Sequence, residues 1–177
     1  MRRDDAQAWE ALVQEHQEAV FRLAYLMLGD ADDAADVAQE AFVNAYRAMD
    51  RYDPSRPVRP WLMRICANLA RNRRRSLGRY FGALRRAFAN EPTPMTVHEH
   101  SLKSIDAHAL WQAVRRLSAN DQEVIYLRYF LDMPELEMAT ALNVAQGTIK
   151  SRLSRALSRL RQVVQRDFPG LRQEFDA

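Results

Sequence analysis

At 177 residues the chain has room for one domain or two small ones, and an apolar share of 47% suffices for compact cores. It holds five glycines, no alternating strand-like runs and no apolar stretch near the roughly 18 residues that a membrane span needs. An all-α protein without membrane insertion is therefore expected. The formal net charge of +3 conceals long blocks: residues 1–50 hold 4 basic and 11 acidic side chains, 51–90 hold 11 and 1, 91–140 hold 4 and 8, and 141–177 hold 7 and 3. Two basic blocks, each closing a helical unit, point to two separate contacts with a polyanion.

The opening MRRDDAQAWE lacks the apolar core of a signal peptide, so a cytoplasmic location is expected. Residues 7–28 carry the first helical pattern, with Trp9, Leu12, Val13, His16, Val20, Leu23, Ala24, Met27 and Leu28 on one stripe and Gly29 as the stop. Asp30 or Asp32 can cap a second helix, whose apolar positions run from Ala34 through Val37, Ala38, Ala41, Phe42, Ala45 and Tyr46 to Met49. Its other face carries Asp32, Asp33, Asp36, Gln39, Glu40 and Asn44, a set that suits a basic partner or simply solvent. DRYDPSRPVRP, with three prolines, must be a loop.

A third helix is expected from about Pro60 to Ser76. Trp61, Leu62, Ile65, Cys66 and Leu69 face inward, and Arg64, Asn68, Arg71, Asn72 and Arg75 share the outer face. The arginines suit phosphates, and the asparagines suit base edges or an extruded base. Trp61 fits core packing better than base stacking because it lies on the apolar stripe. Cys66 is the only cysteine, which excludes an internal disulfide and a cysteine zinc site, and it reads as a packing thiol.

Residues 77–104, interrupted by Gly78, Gly82, Pro92 and Pro94, read as a flexible linker with at most one helical turn near 83–89. His98 and His100 have no carboxylate or cysteine cluster around them, so neither a metal site nor a cofactor is expected. Helices are then expected at about 105–117, 119–130 and, with Pro134 in the first helical position, to Leu142. After a turn at Asn143-Val144, a long basic helix runs from Gln146 to Asp167. This is a helix-turn-helix pattern. The last helix interleaves Lys150, Arg152, Arg155, Arg159 and Arg161 with Ile149, Leu153, Ala156, Leu157 and Leu160. A helix of about 10–12 Å diameter fits the major groove of B-DNA. Gln146, Thr148, Lys150, Ser151, Arg152 and Arg155 lie in its first turns, where base contacts cluster in such motifs. Arg152 and Arg155 serve equally as phosphate anchors. Arg159, Arg161 and Arg166, further along, read as solvated or phosphate-facing. The chain thus divides into domain 1–76, linker 77–104 and domain 105–177.

Three stretches, in this order and spacing, resemble the extracytoplasmic-function (ECF) class of bacterial RNA polymerase sigma factors. ADDAADVAQEAFVNAYRAMDRYD looks like the helix with which such factors grip the polymerase clamp. RPWLMRICANLARNRRRS is similar to the helix that handles the minus-ten promoter element. LSANDQEVIYLRYF with GTIKSRLSRALSRLR resembles the domain that reads the minus-thirty-five element. The resemblance covers about residues 7–166. It implies a dissociable subunit that brings core RNA polymerase to promoter DNA and assists its opening, with an anti-sigma factor as inhibitory partner. It also assigns Asp36, Gln39, Glu40 and Asn44 to the polymerase. Asn68 and the loop Tyr52–Arg59 become candidates for a pocket that holds an unstacked base. The linker would let an anti-sigma partner clamp the two domains together or release them.

Two departures from the family pattern stand out. Ala145 replaces the usual serine cap before the recognition helix, and Glu135-Leu136 replaces an aromatic–acidic pair. The competing reading is a dimeric helix-turn-helix regulator, but a sensing domain has no reason to carry WLMRICANLARNRRR. An enzyme is the least supported class: the chain has no glycine-rich phosphate loop, no metal cluster and no evident nucleophile–base pair.

Overall fold

The computed structural model describes residues 3–87 and 105–168, with side chains over 6–79 and 108–168. Seven α-helices, and no strand among the described residues, divide between an N-terminal and a C-terminal unit. Helix α1 (Arg3–Leu28) ends where Gly29 turns to φ 78° and its N–H reaches the Tyr25 carbonyl at 2.8 Å. That left-handed backbone is one a glycine adopts without strain. Asp30 caps α2 (Ala31–Arg47): its Oδ1 accepts from the Asp33 N–H at 2.9 Å. A short 3-10 turn (Met49–Arg51) leads into the proline loop.

Helix α3 spans Val58–Ala87. It passes through Gly78 and Gly82 instead of stopping at Ser76, so the first part of the expected 77–104 linker is helical. Residues 88–104, including His98 and His100, lie outside the described residues. The physical reason is one of magnitude. A glycine inside a helix costs about 1 kcal/mol relative to alanine, whereas the flanking leucine, alanine and arginine residues favour helix. A lone glycine weakens a helix without ending it.

α1, α2 and α3 pack on one another around Val20, Leu23, Ala24, Ala34, Ala41, Ala45, Leu62, Met63, Cys66, Ala67 and Ala70, all fully buried. Small residues on α2 and α3 let the backbones approach closely, and Trp9 of α1 closes one end edge-on against Phe42 and Tyr46. The Cys66 thiol donates to the Val20 carbonyl at 3.4 Å, and burial pushes its pKa up to about 12. It is a packing thiol, as its place on the apolar stripe indicates.

In the C-terminal unit, α4 (Ile105–Arg115) packs its Ala109, Leu110 and Ala113 on Leu160, Val163 and Val164 of α7 (Gln146–Asp167). Ser118 caps α5 (Ala119–Ile125). The expected single helix 119–130 is in fact α5 plus one π-helical turn, Tyr126–Phe130, in which the Leu131 N–H reaches back to the Tyr126 carbonyl at 3.1 Å. The wider turn sets Tyr126 and Phe130 against Trp111 of α4, each with ring centroids 5.8 Å from it. Asp132, at φ 48°, then reverses the chain, and the Met133 carbonyl accepts from Arg128 at 3.2 Å.

α6 (Glu135–Leu142) begins just after Pro134, whose carbonyl accepts from the Met138 N–H at 2.9 Å. The proline thus stands immediately before the helix, one position earlier than expected. Asn143 takes a left-handed conformation (φ 54°), the Val144 N–H returns to the Ala139 carbonyl, and α7 follows. This is the turn of the helix-turn-helix, where the sequence places it. Leu136 is 65% exposed. No described helix is long and apolar enough to cross a membrane.

Candidate nucleic-acid interface

The outer face of α3 is built by helical spacing alone. Arg64 and Arg71 are half-buried, while Asn68, Asn72 and Arg75 are exposed. All five side chains expected on this face are on it. Four of them form two pairs: Arg71 Nη1 donates to Asn68 Oδ1 at 2.8 Å, and Arg75 Nη2 donates to Asn72 Oδ1 at 2.7 Å. Arg75 Nε reaches the Arg71 carbonyl at 3.4 Å. The face is a row of oriented polar groups rather than loose side chains.

Arg73, on the same helix, has a different task. It clasps Asp33 at the start of α2 through Nε, at 2.8 Å, and through Nη2, and it approaches Asp36 at 3.8 Å. The Asp33 hydrogen bond and charge hold the Arg73 guanidinium above its usual pKa. Asp33 is therefore a tie to α3 and not part of a free acidic face. Asp36, Gln39 and Glu40 remain exposed, with Asn44 half-buried one turn further on. The tie links positions forty residues apart, which the periodicity of either helix alone does not reveal.

The proline loop before α3 is tightly organised. Asp53 Oδ1 accepts from the Ser55 N–H at 3.0 Å and from the Ser55 hydroxyl at 2.7 Å, and Arg56 Nε lies 3.2 Å from Oδ2. The hydrogen bonds from Ser55, more than the Arg56 charge, pull the Asp53 pKa down. Tyr52 donates its hydroxyl to the Arg56 carbonyl and rests its ring on Trp61, with centroids 4.7 Å apart. Trp61 is half-buried against Tyr52, so its first role is packing.

On α7, Gln146, Lys150, Ser151 and Arg155 are exposed, and Thr148 and Arg152 half-buried. Ala145 precedes the helix without giving a side-chain cap, and only its carbonyl is used, accepting from the Thr148 N–H at 2.9 Å and the Ile149 N–H at 3.4 Å. Arg155 folds back along the helix, with Nε 3.1 Å from the Ser151 carbonyl and Nη2 3.4 Å from its hydroxyl. The Ser151 hydroxyl in turn donates to the Thr148 carbonyl at 3.0 Å. These six side chains share the first turns of one helix, while Ile149, Leu153 and Ala156 are buried behind them.

Arg159 and Arg166 are exposed, as expected of solvated side chains, and each is also paired with a carboxylate of its own unit. Arg159 Nη1 sits 2.8 Å from both oxygens of Asp121, a buried carboxylate that also accepts from the Ser118 hydroxyl at 2.7 Å. Arg166 grips Asp167 through Nε at 2.8 Å and Nη2 at 3.0 Å, and Arg116 joins the same carboxylate. Arg166 and then Arg116 bring the Asp167 pKa down to about 2. Arg159 and Arg116 fasten distant parts of the unit, whereas Arg166 pairs with its own neighbour. The Ser-x-x-Asp spacing at 118–121 is a helix-start signal that marks Asp121 as structural; its arginine partner, 38 residues on, carries no local signal. Arg161 stays exposed. Among the described residues no three metal-ligating side chains gather.

Comparison with known proteins supplies the frame for these surfaces. The Sigma-70 region 2 family model matches residues 12–80 and the Sigma-70 region 4 family model residues 107–160. The chain is 29% identical to the ECF RNA polymerase sigma factor SigW of Bacillus subtilis, covering 92% of this chain and 91% of that one. It is 30% identical to the ECF RNA polymerase sigma factor SigL of Mycobacterium tuberculosis, covering 91% of each. In fold it is similar to the sigma factor RpoE of Bartonella quintana, solved in complex with the anti-sigma factor NepR, with a TM-score of 0.72, 24% identity, and 91% of this chain and 99% of that chain covered. With regions 2 and 4 in order and relatives matched over nearly their whole length, the chain belongs to the extracytoplasmic-function family of RNA polymerase sigma factors.

Proposed function

We propose that this sigma factor divides its work between two faces of the N-terminal unit and the first turns of α7. Asp36, Gln39, Glu40 and Asn44 on α2 dock core RNA polymerase. Arg64, Asn68, Arg71, Asn72 and Arg75 on α3 bind the minus-ten side of the promoter. Gln146, Thr148, Lys150, Ser151, Arg152 and Arg155 read the minus-thirty-five side. The observation that carries this division is the segregation of charge across the packed α2–α3 pair. An acidic–amide face and a cationic–amide face, each exposed or half-buried, lie on helices joined by the Arg73–Asp33 tie.

Phosphate contacts supply affinity and its salt dependence, and side chains at base edges supply choice. Opening needs no covalent step, only a place for unstacked bases, and no catalytic residue is assigned. Domain limits of about 1–76 and 105–177 accommodate both functions, with α3 reaching beyond the first. A protein of this kind works in the cytoplasm and is held off by an anti-sigma factor, for which family membership is the support. The dimeric-regulator reading has no observation in its favour, since the WLMRICANLARNRRR segment lies inside the region 2 match.

Binding to core polymerase tests the α2 assignment. Asp36→Lys with Glu40→Lys is expected to weaken assembly at least tenfold in a fluorescence titration while leaving the helical circular dichroism unchanged. Unaltered affinity would overturn the docking face.

A further inference from the structure

The two arginine–asparagine pairs on α3 repeat one arrangement, and its chemistry is directional. A guanidinium only donates hydrogen bonds, so the asparagine atom facing it must be the carboxamide oxygen. The oxygen–nitrogen ambiguity of an asparagine side chain is thereby resolved at both positions. Asn68 Oδ1 is held by Arg71 at 2.8 Å and Asn72 Oδ1 by Arg75 at 2.7 Å, while both asparagines are exposed. The amino groups are left wholly free for a ligand, while each oxygen keeps one lone pair beside a guanidinium.

We propose that Arg71 and Arg75 are positioning residues that lock Asn68 and Asn72 with their amino groups presented as donors, so that this face selects keto bases over amino bases. The inference rests on the assignment of α3 to the minus-ten side and adds to it a rule of recognition. An unconstrained asparagine reads adenine with both ends, its oxygen accepting from the base amino group and its nitrogen donating to the ring. Here a charged donor already takes one of the oxygen's two lone pairs, and a base amino group approaching the other is opposed by the guanidinium's positive charge beside it. A thymine O4 or guanine O6 instead meets an N–H that is aimed at it. Cytosine and adenine, which present N4 and N6 amino groups on that edge, are disfavoured.

Spacing sharpens the rule. Positions 68 and 72 lie about 6 Å apart along the helix, whereas stacked bases follow one another at about 3.4 Å on a strand. Two amino groups at this interval do not address neighbouring stacked bases. They match every second base of a stacked strand, or neighbouring bases drawn apart in an unstacked one.

The test is selection by holoenzyme, core polymerase with the full chain, from promoters randomised across the minus-ten region, with sequencing of the initiated templates. Enrichments are compared within each variant's own pool, so a uniform fall in activity does not mask base preference. Arg71→Met releases the Asn68 carboxamide and is expected to relax a keto preference at one position by roughly three- to tenfold, the worth of about one hydrogen bond. Asn68→Asp keeps the arginine pairing but removes the donor, and is expected to turn the preference at that position towards cytosine or adenine. A wild-type pool with base preference that neither variant changes would overturn the inference and leave the α3 assignment standing. A wild-type pool with no preference in the minus-ten region would overturn the α3 assignment itself.

Discussion

Asp121 is the side chain whose loss should be felt most in the C-terminal unit. Its carboxylate is buried, caps with Ser118 and receives Arg159, so it joins the start of α5 to the middle of α7. Asp121→Ala removes the acceptor for both donors, and such deletions cost about 1–3 kcal/mol. A lowered melting temperature of the C-terminal transition is the expected readout, with the N-terminal transition unchanged. Cys66 gives a pH signature in the other unit. The folded thiol titrates at about 12 against an ordinary 9.0, so the folded state keeps its proton while the unfolded state loses it. Stability from this group is full below pH 9 and falls as pH rises from 9 towards 12. Native protein at pH 8 should resist thiol alkylation until it is unfolded; rapid native labelling would contradict the burial. Asp167 has the opposite sign. Held at about 2 by Arg166 and Arg116, it supports the fold above its ordinary 3.8 and loses that contribution as pH falls through about 2.

At the scale of elements, the start of α7 carries a correctable weakness. Ala145 offers no side-chain oxygen, and the Gly147 position has nothing within 4 Å of an added Cβ. Ala145→Ser is expected to stabilise the C-terminal unit by about 0.5–2 kcal/mol through a cap. Gly147→Ala should add about 0.5–1 kcal/mol through backbone entropy. Calorimetry of the two substitutions singly and together checks both, and no change in either would mean that the first turn is frayed in solution. These elements also show what can be read from sequence. The helix starts and stops at Gly29, Asn143 and Ala145 were legible because each is decided by neighbours three or four residues away, and Asp30 was one of two candidates for its cap, with Asp32. The membership of the α3 and α7 faces, which helical periodicity sets by itself, was legible too. The end of α3 was not legible, because Gly78 and Gly82 look like breakers while the cost of each is small. The π turn at Tyr126–Phe130 depends on Trp111 and the reversal at Asp132. The roles of Asp33, Arg159 and Arg166 depend on partners far away in sequence or on which rotamer wins. Long-range pairing is the information that a periodic pattern lacks.

Across the whole chain, the alternation of acidic and basic blocks matches the separate uses proposed for its surfaces. The excess of acid in residues 1–50 leaves Asp36 and Glu40 exposed for a partner after Asp33 has been spent on Arg73. The eleven basic side chains of residues 51–90 include those on the outer face of α3, and the last block supplies the start of α7. Net charge alone would have suggested indiscriminate binding to DNA, whereas the internal pairing of Arg73, Arg159 and Arg166 withdraws charge from that purpose. The central claim is that the chain directs polymerase to particular promoters, and run-off transcription tests it most directly. Purified bacterial core RNA polymerase would be incubated with and without the protein on genomic fragments that include its own upstream region. Discrete transcripts that appear only with the protein are the predicted result. Competent polymerase from the source organism that neither binds the protein nor initiates anywhere, while the protein alone still shifts DNA, would contradict it.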